Sequence, residues 1–132
     1  MRTKWNDLFM NMALLVATRS PDKSSRFGAV IANPWDNTVV STGYNGWCRE
    51  AEAWSDTDAR HERPLKYIYT EHAERNAIYN AAKIGQKLNA CDIYVPAVPC
   101  PDCARAIIQS GLRFVFVCKE INTEFLKNEK WA

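Results

Sequence analysis

The chain has 132 residues, of which 47% are hydrophobic and 24% are charged, and its formal net charge is +2. This length and balance predict one globular domain spanning residues 1–132. The apolar stretches are shorter than the roughly 20 residues that a membrane span needs, and the first residues lack a signal-peptide core. The small net charge argues against a nucleic-acid partner, whose phosphates would require a basic surface.

The cysteine content indicates a reducing compartment. Five cysteines cannot all pair within one chain, and two of them stand in a Cys-x-x-Cys pattern that is typical of metal sites. Thiols that stay free are typical of the cytosol. We therefore expect a cytoplasmic protein, or one in the host cytoplasm if the source is a virus, with no membrane partner.

The first half of the chain predicts a helix and a β-hairpin. Apolar residues recur at helical spacing from Trp5 to Thr18. Two short apolar segments, Phe27–Ala32 and Val39–Tyr44, flank a turn and predict paired strands. The stretch from Asn45 to Thr70 has no clean period, and a loop of this length in a small domain is more often functional than idle. It could form a lid.

The second half predicts helices that alternate with strands. Helices are predicted over Glu71–Lys83, Pro101–Ser110 and Ile121–Lys130, and strands over Asp92–Val95 and Phe114–Val117. A strand, a helix and a second strand in succession favour parallel pairing. We therefore predict an α/β sandwich in which helices cover both faces of a central mixed sheet of about four or five strands.

Two short motifs contain candidate metal ligands. Cys100 and Cys103 lie three residues apart at a predicted helix start, so their sulfurs share a face. The helix dipole and the unpaired N–H groups at that position favour thiolates. His72 can supply a third ligand as a neutral imidazole, which leaves the fourth tetrahedral position to water, as a catalytic zinc site requires. Pro101 suits the first helical turn, where its missing N–H costs nothing.

Glu74, two residues after His72, is the candidate proton carrier. Zinc would lower the pKa of a bound water toward neutrality. The Glu74 carboxylate would act first as a base toward that water and then as an acid toward a departing amine. This combination predicts a hydrolytic deaminase that acts on a nucleobase.

The remaining cysteines and the second histidine do not predict another metal site. A structural zinc site would need a fourth Cys or His, and His61 lies in the long loop without a paired cysteine at metal spacing. Cys48 and His61 are too few for a second zinc site, so we expect one catalytic ion and no structural one. Cys91 and Cys118 lie on apolar strands and are expected to be buried packing residues.

The chain resembles the deoxycytidylate (dCMP) deaminases, within the wider cytidine deaminase-like superfamily. The zinc motifs alone would equally admit deaminases of tRNA adenosine, guanine or free cytidine, whereas residues 43–46 (GYNG) and the helix end at Gly111 narrow the resemblance to dCMP deaminases. The resemblance covers most of residues 5–118, and the segments that carry it are Trp5–Met10, Phe27–Ile31, Ser41–Gly46, His72–Ile78 and Pro99–Gly111.

The resemblance implies a fold, a reaction and an assembly. It implies a three-layer α/β/α cytidine deaminase-like sandwich and hydrolysis of dCMP to dUMP and ammonia, which supplies dUMP for thymidylate synthesis. It also implies that Asn45 touches the deoxyribose and that the backbone around Ala73 reads the cytosine edge. Gly43, Tyr44 and Gly46 are associated in the family with dCTP as activator and dTTP as inhibitor. The family further implies a homo-oligomer, commonly a hexamer.

The phosphate of a nucleoside monophosphate needs cations or amides near Asn45. Arg26, together with Ser24 and Ser25, is the first candidate. The second candidate is a group of three basic residues in the long loop, Arg60, Arg63 and Lys66. This group could bind the substrate phosphate or the triphosphate of an effector at a subunit boundary. Acidic residues accompany this set, so a solvated surface of mixed charge fits it equally well.

Several alternatives remain open at this stage. The substrate could be dCTP, cytidine, guanine or tRNA adenosine, although the modest net charge argues against tRNA. The chain could also be a non-catalytic nucleotide-sensing relative or a structural zinc protein, but an intact Glu74 argues against pure sensing. Glu71 and Arg75 flank the first motif where family members often carry neutral or apolar residues, so we expect different contacts around the ligands.

Overall fold

The computed structural model describes residues 1–49 and 66–118, apart from the side chains of residues 66 and 67. None of the helices described there has the length and apolar character needed to cross a membrane. The predicted helix Ile121–Lys130 and residues 50–65 of the long loop lie outside the described residues. Within them the elements are, in chain order, α1 (Trp5–Ala17), β1 (Gly28–Asn33), β2 (Thr38–Tyr44), β3 (Gly46–Trp47), α2 (Lys66–Tyr69), β4 (Thr70–Glu71), α3 (Ala73–Lys83), β5 (Asp92–Val95), α4 (Pro101–Gln109) and β6 (Phe114–Val117).

A four-stranded mixed sheet in the order β2-β1-β5-β6 forms the centre of the fold. Strand β1 pairs antiparallel with both β2 and β5, so the predicted hairpin is confirmed. Strand β5 pairs parallel with β6, across the crossover through α4, as the alternation of elements predicts. A second sheet of two short strands joins β3 to β4.

Helices cover both faces of this sheet, because successive strand side chains point to opposite sides. Val30 and Ala32 of β1 pack with Phe9 and Ala13 of α1 on one face. The other face packs under α3 and α4, and its buried residues include Ala29, Ile31, Ala73, Ala77, Ala81, Ile93, Val95 and Ile107. The predicted α/β/α sandwich with a mixed sheet is therefore confirmed.

Helix α3 approaches strand β2 very closely at Gly43. A Cβ atom at this position would lie 2.5 Å from the carbonyl oxygen of Ala73 and would also meet the backbone nitrogen of Ala77. Only a residue without a side chain fits this contact, so the first glycine of GYNG has a packing role. The contact fixes the first turn of α3, and with it Ala73, against the sheet.

The sequence patterns misplaced the start of α3 and overlooked the small sheet. The structure begins α3 at Ala73 rather than Glu71, because Glu71 belongs to β4 and pairs with Gly46. Strands of two residues are too short to show an alternating pattern, so the sequence predicts a loop through β3 and Thr70 and a helix from Glu71. Cys118 is half-buried rather than buried, whereas Cys91 is buried as expected.

Candidate metal centre and active site

The candidate zinc ligands His72, Cys100 and Cys103 meet at one point. The Nδ1 atom of His72 lies 3.4 Å from the Sγ atom of Cys100 and 3.4 Å from that of Cys103. A tetrahedral zinc ion with ordinary bond lengths separates a nitrogen and a sulfur ligand by about 3.5 Å. The three donors therefore fit zinc, and a set of three leaves one coordination position for a reacting molecule.

Two helix starts bring these ligands together. His72 is the residue immediately before α3, and Cys100 is the residue immediately before α4. The Sγ atom of Cys100 accepts a hydrogen bond from the backbone N–H of Cys103 at 3.4 Å, and Pro101 occupies the first turn as expected. The chain thus holds the two sulfurs on one face before a metal binds.

The pKa of the buried Cys103 thiol is raised, first by burial and then by the neighbouring Glu74 carboxylate. This finding runs against the expectation that the helix start alone favours a thiolate. A bound divalent cation supplies the positive charge that deprotonates a coordinating thiol. The donor set thus suits a metal and does not suit a free reactive thiol.

Glu74 lies beside the ligands in the first turn of α3, with 8% of its surface exposed. It lines the same cavity as His72 and Cys100, which has a volume of about 230 Å³. The first N–H groups of a helix have no intrahelical acceptor, and the helix dipole stabilises a carboxylate there. A carboxylate and an open metal position therefore face one small cavity.

The walls of the cavity come from four places in the chain. Among the described residues that line it, the acidic side chains are Asp22 and Glu74, and neither lysine nor arginine is present. The segment that follows β5, where the chain leaves the sheet toward Cys100, supplies part of the lining. The remaining lining residues are Ser25, Phe27, Gly28, Asn45, Thr70, Ala73, Val95, Pro96, Ala97 and Val98.

Asn45 lines the cavity and also organises the loop before β1. Its side-chain oxygen accepts a hydrogen bond from the backbone N–H of Phe27 at 2.7 Å. Its side-chain nitrogen donates to the carbonyl oxygen of Ser25 at 2.8 Å. Ser20 donates from its hydroxyl to the carbonyl oxygen of Asn45 at 2.5 Å. Asn45 thus fixes the shape of the cavity wall that contains Ser25 and Phe27.

The candidate phosphate ligands stand beside the cavity rather than in its lining. Arg26 donates from Nε to the carbonyl oxygen of Asp22 at 3.4 Å, and the backbone N–H of Ser24 donates to the Asp22 carboxylate at 2.7 Å. Ser25 does line the cavity. Arg60, Arg63 and the side chain of Lys66 lie outside the described residues.

Gly43, Tyr44 and Gly46, the described candidates for effector contacts, do not line the cavity either. Tyr44 is half-buried, and its carbonyl oxygen accepts a hydrogen bond from the side chain of Asn76 on α3 at 2.8 Å. Gly46 is buried, and a Cβ atom there would lie 3.2 Å from the ring of Pro21. Together with Gly43, these residues join β2 and β3 to their neighbours.

Sequence reasoning missed Asp22, Phe27 and the segment Val95–Val98 as lining residues. Two signals could have found most of them. Ligands bind outside the carboxyl ends of strands in open α/β sheets, which points to the residues that follow β5. An aspartate after a proline often caps a turn, and Asp22 accepts from the N–H groups of Ser24 and Ser25.

Comparison with known proteins gives a consistent family assignment. The family model described as the cytidine and deoxycytidylate deaminase zinc-binding region matches residues 3–119. An uncharacterized deaminase of Aliivibrio fischeri is 44% identical over 132 residues, which cover the whole of this chain and 82% of that protein. The deoxycytidylate deaminase of Homo sapiens is 40% identical over 123 residues, which cover 85% of this chain. The chain spans 63% of the length of that human protein.

Solved structures show the same fold. The dCMP deaminase of cyanophage S-TIM5 in its apo form superposes with a TM-score of 0.71 at 23% identity, and the match covers 98% of this chain and 95% of that one. The guanine deaminase of Bacillus subtilis superposes with a TM-score of 0.58 at 26% identity, over 92% of this chain and 68% of that one. The fold of this chain is thus shared with proteins that are named as deaminases of different substrates.

Proposed function

Because the chain belongs to the cytidine and deoxycytidylate deaminase family, we propose that it is a zinc-dependent enzyme that hydrolyses dCMP to dUMP and ammonia. One observation carries the reaction: the donor set of His72, Cys100 and Cys103 and the buried carboxylate of Glu74 adjoin one cavity. The relatives that are named for deoxycytidylate deamination support the substrate.

The proposed chemistry uses one carboxylate twice. A zinc ion held by the three donors would supply a Lewis acid that lowers the pKa of water toward neutrality. Glu74 takes a proton from the attacking water and delivers it to the ring nitrogen beside the amino-bearing carbon. Glu74 then takes the proton of the hydroxyl group newly bonded to that carbon and passes it to the amine as the carbon–nitrogen bond breaks. Ammonia leaves, the carbon keeps a carbonyl oxygen and the ring nitrogen keeps the first proton.

The cavity walls are suited to hold a pyrimidine ring in front of Glu74. The buried Ala73 stands at the first position of α3, where backbone N–H groups lack helical acceptors and can bind a base edge. Phe27 and Val98 supply apolar walls, and the lining residue Asn45 is proposed to contact the sugar. A volume of about 230 Å³ is below the usual range of roughly 300–1,000 Å³ for drug-sized ligands. We therefore place the base inside and the phosphate at the mouth.

The phosphate is proposed to bind outside the acidic lining. Asp22 and Glu74 would repel a dianion in the interior. Arg26 and Ser24, next to the lining residue Ser25, are proposed to bind the phosphate from the mouth. The loop residues Arg60, Arg63 and Lys66 are proposed as a second set for the substrate or an effector.

The proposal also includes the oligomeric state, the effectors and the cellular location of the protein. We propose one domain over residues 1–132 and a homo-oligomer, with a hexamer as its form. We further propose dCTP as activator and dTTP as inhibitor, and a cytoplasmic location. Strand β6 is an edge of the described sheet and exposes Phe114, Val115 and Val117, so a second chain is one source of cover. Sedimentation of the purified protein with and without dCTP tests the assembly and its response together.

A substrate panel tests the reaction. Ammonia release is measured with dCMP, CMP, dCTP, deoxycytidine and guanine, each with and without dCTP or dTTP as effector. We expect dCMP to give the highest kcat/KM. Turnover of another compound in the panel without turnover of dCMP would reject the substrate while leaving deamination intact.

Glu74→Gln tests the class of protein. The amide keeps the shape of the side chain but cannot accept the proton, so deamination should fall by about 100-fold or more. Zinc content and far-UV circular dichroism should stay at the wild-type level. Full activity in this variant would contradict a catalytic role for Glu74, and loss of the fold would contradict the catalytic assignment and favour a structural role for the site.

A further inference from the structure

Arg75 lies in the first turn of α3, three residues after the ligand His72, with 22% of its side chain exposed. Its Nε donates to an oxygen of Glu71 at 2.5 Å, and a second nitrogen pairs with the same oxygen. That oxygen also accepts a hydrogen bond from the backbone N–H of His72 at 3.1 Å. The Glu71 carboxylate therefore joins the Arg75 guanidinium to the backbone of one zinc ligand.

The same guanidinium faces the second ligand segment. Its Nη1 atom lies 3.9 Å from an oxygen of Asp102. Asp102 stands between Cys100 and Cys103 in the first turn of α4. Helices α3 and α4 contact each other directly, so this ion pair spans the contact between the helix starts that hold the ligands. The ion pair of Arg75 with Glu71 is stronger than its ion pair with Asp102, because the Glu71 pair is shorter and less exposed.

The negative charges around the metal ligands explain why a cation is needed at Arg75. Glu71, Glu74 and Asp102 place three carboxylates around the ligands, and two coordinating thiolates would add to them. Arg75 pairs with two of the three. Arg105 also pairs with Asp102, but within its own helix and with 69% of its side chain exposed. An exposed pair of this kind contributes little, so the two arginines predict different effects.

We infer that Arg75 is a positioning residue for the metal centre, which ties the segments of His72 and Cys100–Cys103 together through Glu71 and Asp102. By holding both segments in their binding geometry, Arg75 sets the affinity of the site for zinc. This inference rests on the zinc site of the proposed function but not on its substrate. Removing a residue that contacts the metal ligands without binding the metal itself typically lowers metal affinity or activity by about 10–100-fold.

Zinc affinity of the purified full-length protein, measured by competition with a chromophoric chelator, tests the inference without any substrate. We expect Arg75→Gln to weaken zinc binding by about 10-fold or more and Arg75→Lys to recover part of it. Arg105→Gln is the matched control, and its affinity should stay within about twofold of wild type. At saturating zinc the KM for dCMP of Arg75→Gln should stay within about twofold, because Arg75 does not line the cavity.

Equal zinc affinity in Arg75→Gln and wild type would overturn the inference, and so would equal losses in Arg75→Gln and Arg105→Gln. If circular dichroism shows that Arg75→Gln does not fold, Glu71→Gln and Asp102→Asn replace it. Each should weaken zinc binding, and Glu71→Gln should weaken it more. Wild-type affinity in both would overturn the inference. A protein that shows the expected zinc pattern but does not turn over dCMP contradicts only the proposed substrate.

Discussion

The side-chain oxygen of Asn45 accepts a hydrogen bond from the backbone N–H of Phe27 at 2.7 Å, although the two residues lie 18 positions apart in the chain. The same amide donates to the carbonyl oxygen of Ser25 at 2.8 Å. A single side chain thus holds one wall of the cavity in place. Asn45 therefore links the stability of the fold to the shape of the binding site.

Asn45→Ala should lower both stability and substrate affinity. Two part-buried backbone groups would lose their partners, which costs about 1–3 kcal/mol for each group left unsatisfied. Urea denaturation measures the free energy of unfolding, and initial rates with dCMP measure a KM that should rise. Asn11, exposed on α1, provides the control, since Asn11→Ala should leave both quantities unchanged. Wild-type stability in Asn45→Ala would contradict the bonding described.

Gly43→Ala should destabilise the fold strongly. The added Cβ would meet backbone atoms of Ala73 and Ala77, which cannot rotate away as a side chain can. Overpacking of a core costs typically 1–3 kcal/mol, and we expect about 3 kcal/mol or more here. Gly46→Ala is the matched control, because its Cβ would meet mainly side-chain atoms of Pro21 and Tyr44 at 3.2 Å or more. Equal melting temperatures for both variants would show that the close approach of α3 to β2 does not exclude a side chain at position 43.

Arg26→Ala separates phosphate binding from base binding. Arg26 adjoins the lining residue Ser25 and is proposed to bind the substrate phosphate, so its loss should raise the KM for dCMP by about 10-fold or more. The KM for deoxycytidine, which has no phosphate, should change little. Lys23→Ala, an exposed cation in the same loop, serves as the control. An equal effect of Arg26→Ala on both substrates would exclude Arg26 as the phosphate ligand.

Thiol labelling should report burial and metal binding separately. The pKa of the Cys91 thiol is raised, mainly by burial, so a smaller fraction is thiolate at about pH 8 and alkylation should be slow. Cys48 is exposed and should react first. Cys100 should become reactive only after a chelator removes zinc. Peptide mass spectrometry after iodoacetamide treatment measures all three rates, and labelling of Cys91 as fast as Cys48 would contradict the packing of β5.

The parts of the fold that depend on local pattern were predictable from the sequence. The predicted bounds of β5 and β6, Asp92–Val95 and Phe114–Val117, agree with the structure, because both segments are short runs rich in apolar residues. The predicted helix start at Pro101 agrees with the structure, and proline is suited to the first helical turn. Patterns of this kind are read from neighbours in the chain, so they required no knowledge of the tertiary structure.

The parts that depend on distant contacts were not predictable. Gly43 carries no sign in the sequence that α3 will lie against it, and its resemblance to an effector motif suggested a different role. Glu71 belongs to a strand because Gly46 pairs with it, although its neighbours favour a helix. The zinc ligands were predictable because a Cys-x-x-Cys pattern at a helix start, combined with a His and a nearby Glu, is typical of catalytic zinc sites, whereas an arginine such as Arg26 has many uses on a protein surface.

His72 and Cys100 each occupy the N-cap position of a helix and are each proposed as a metal ligand, and this double use would couple metal binding to the order of the helix starts. The first turns of α3 and α4 begin at residues that zinc would hold fixed, so metal occupancy and helix fraying become one equilibrium. Amide hydrogen exchange in these turns would then titrate with free zinc. A change in the concentration of free zinc would therefore change the local order of these two helix turns, even where no substrate is present.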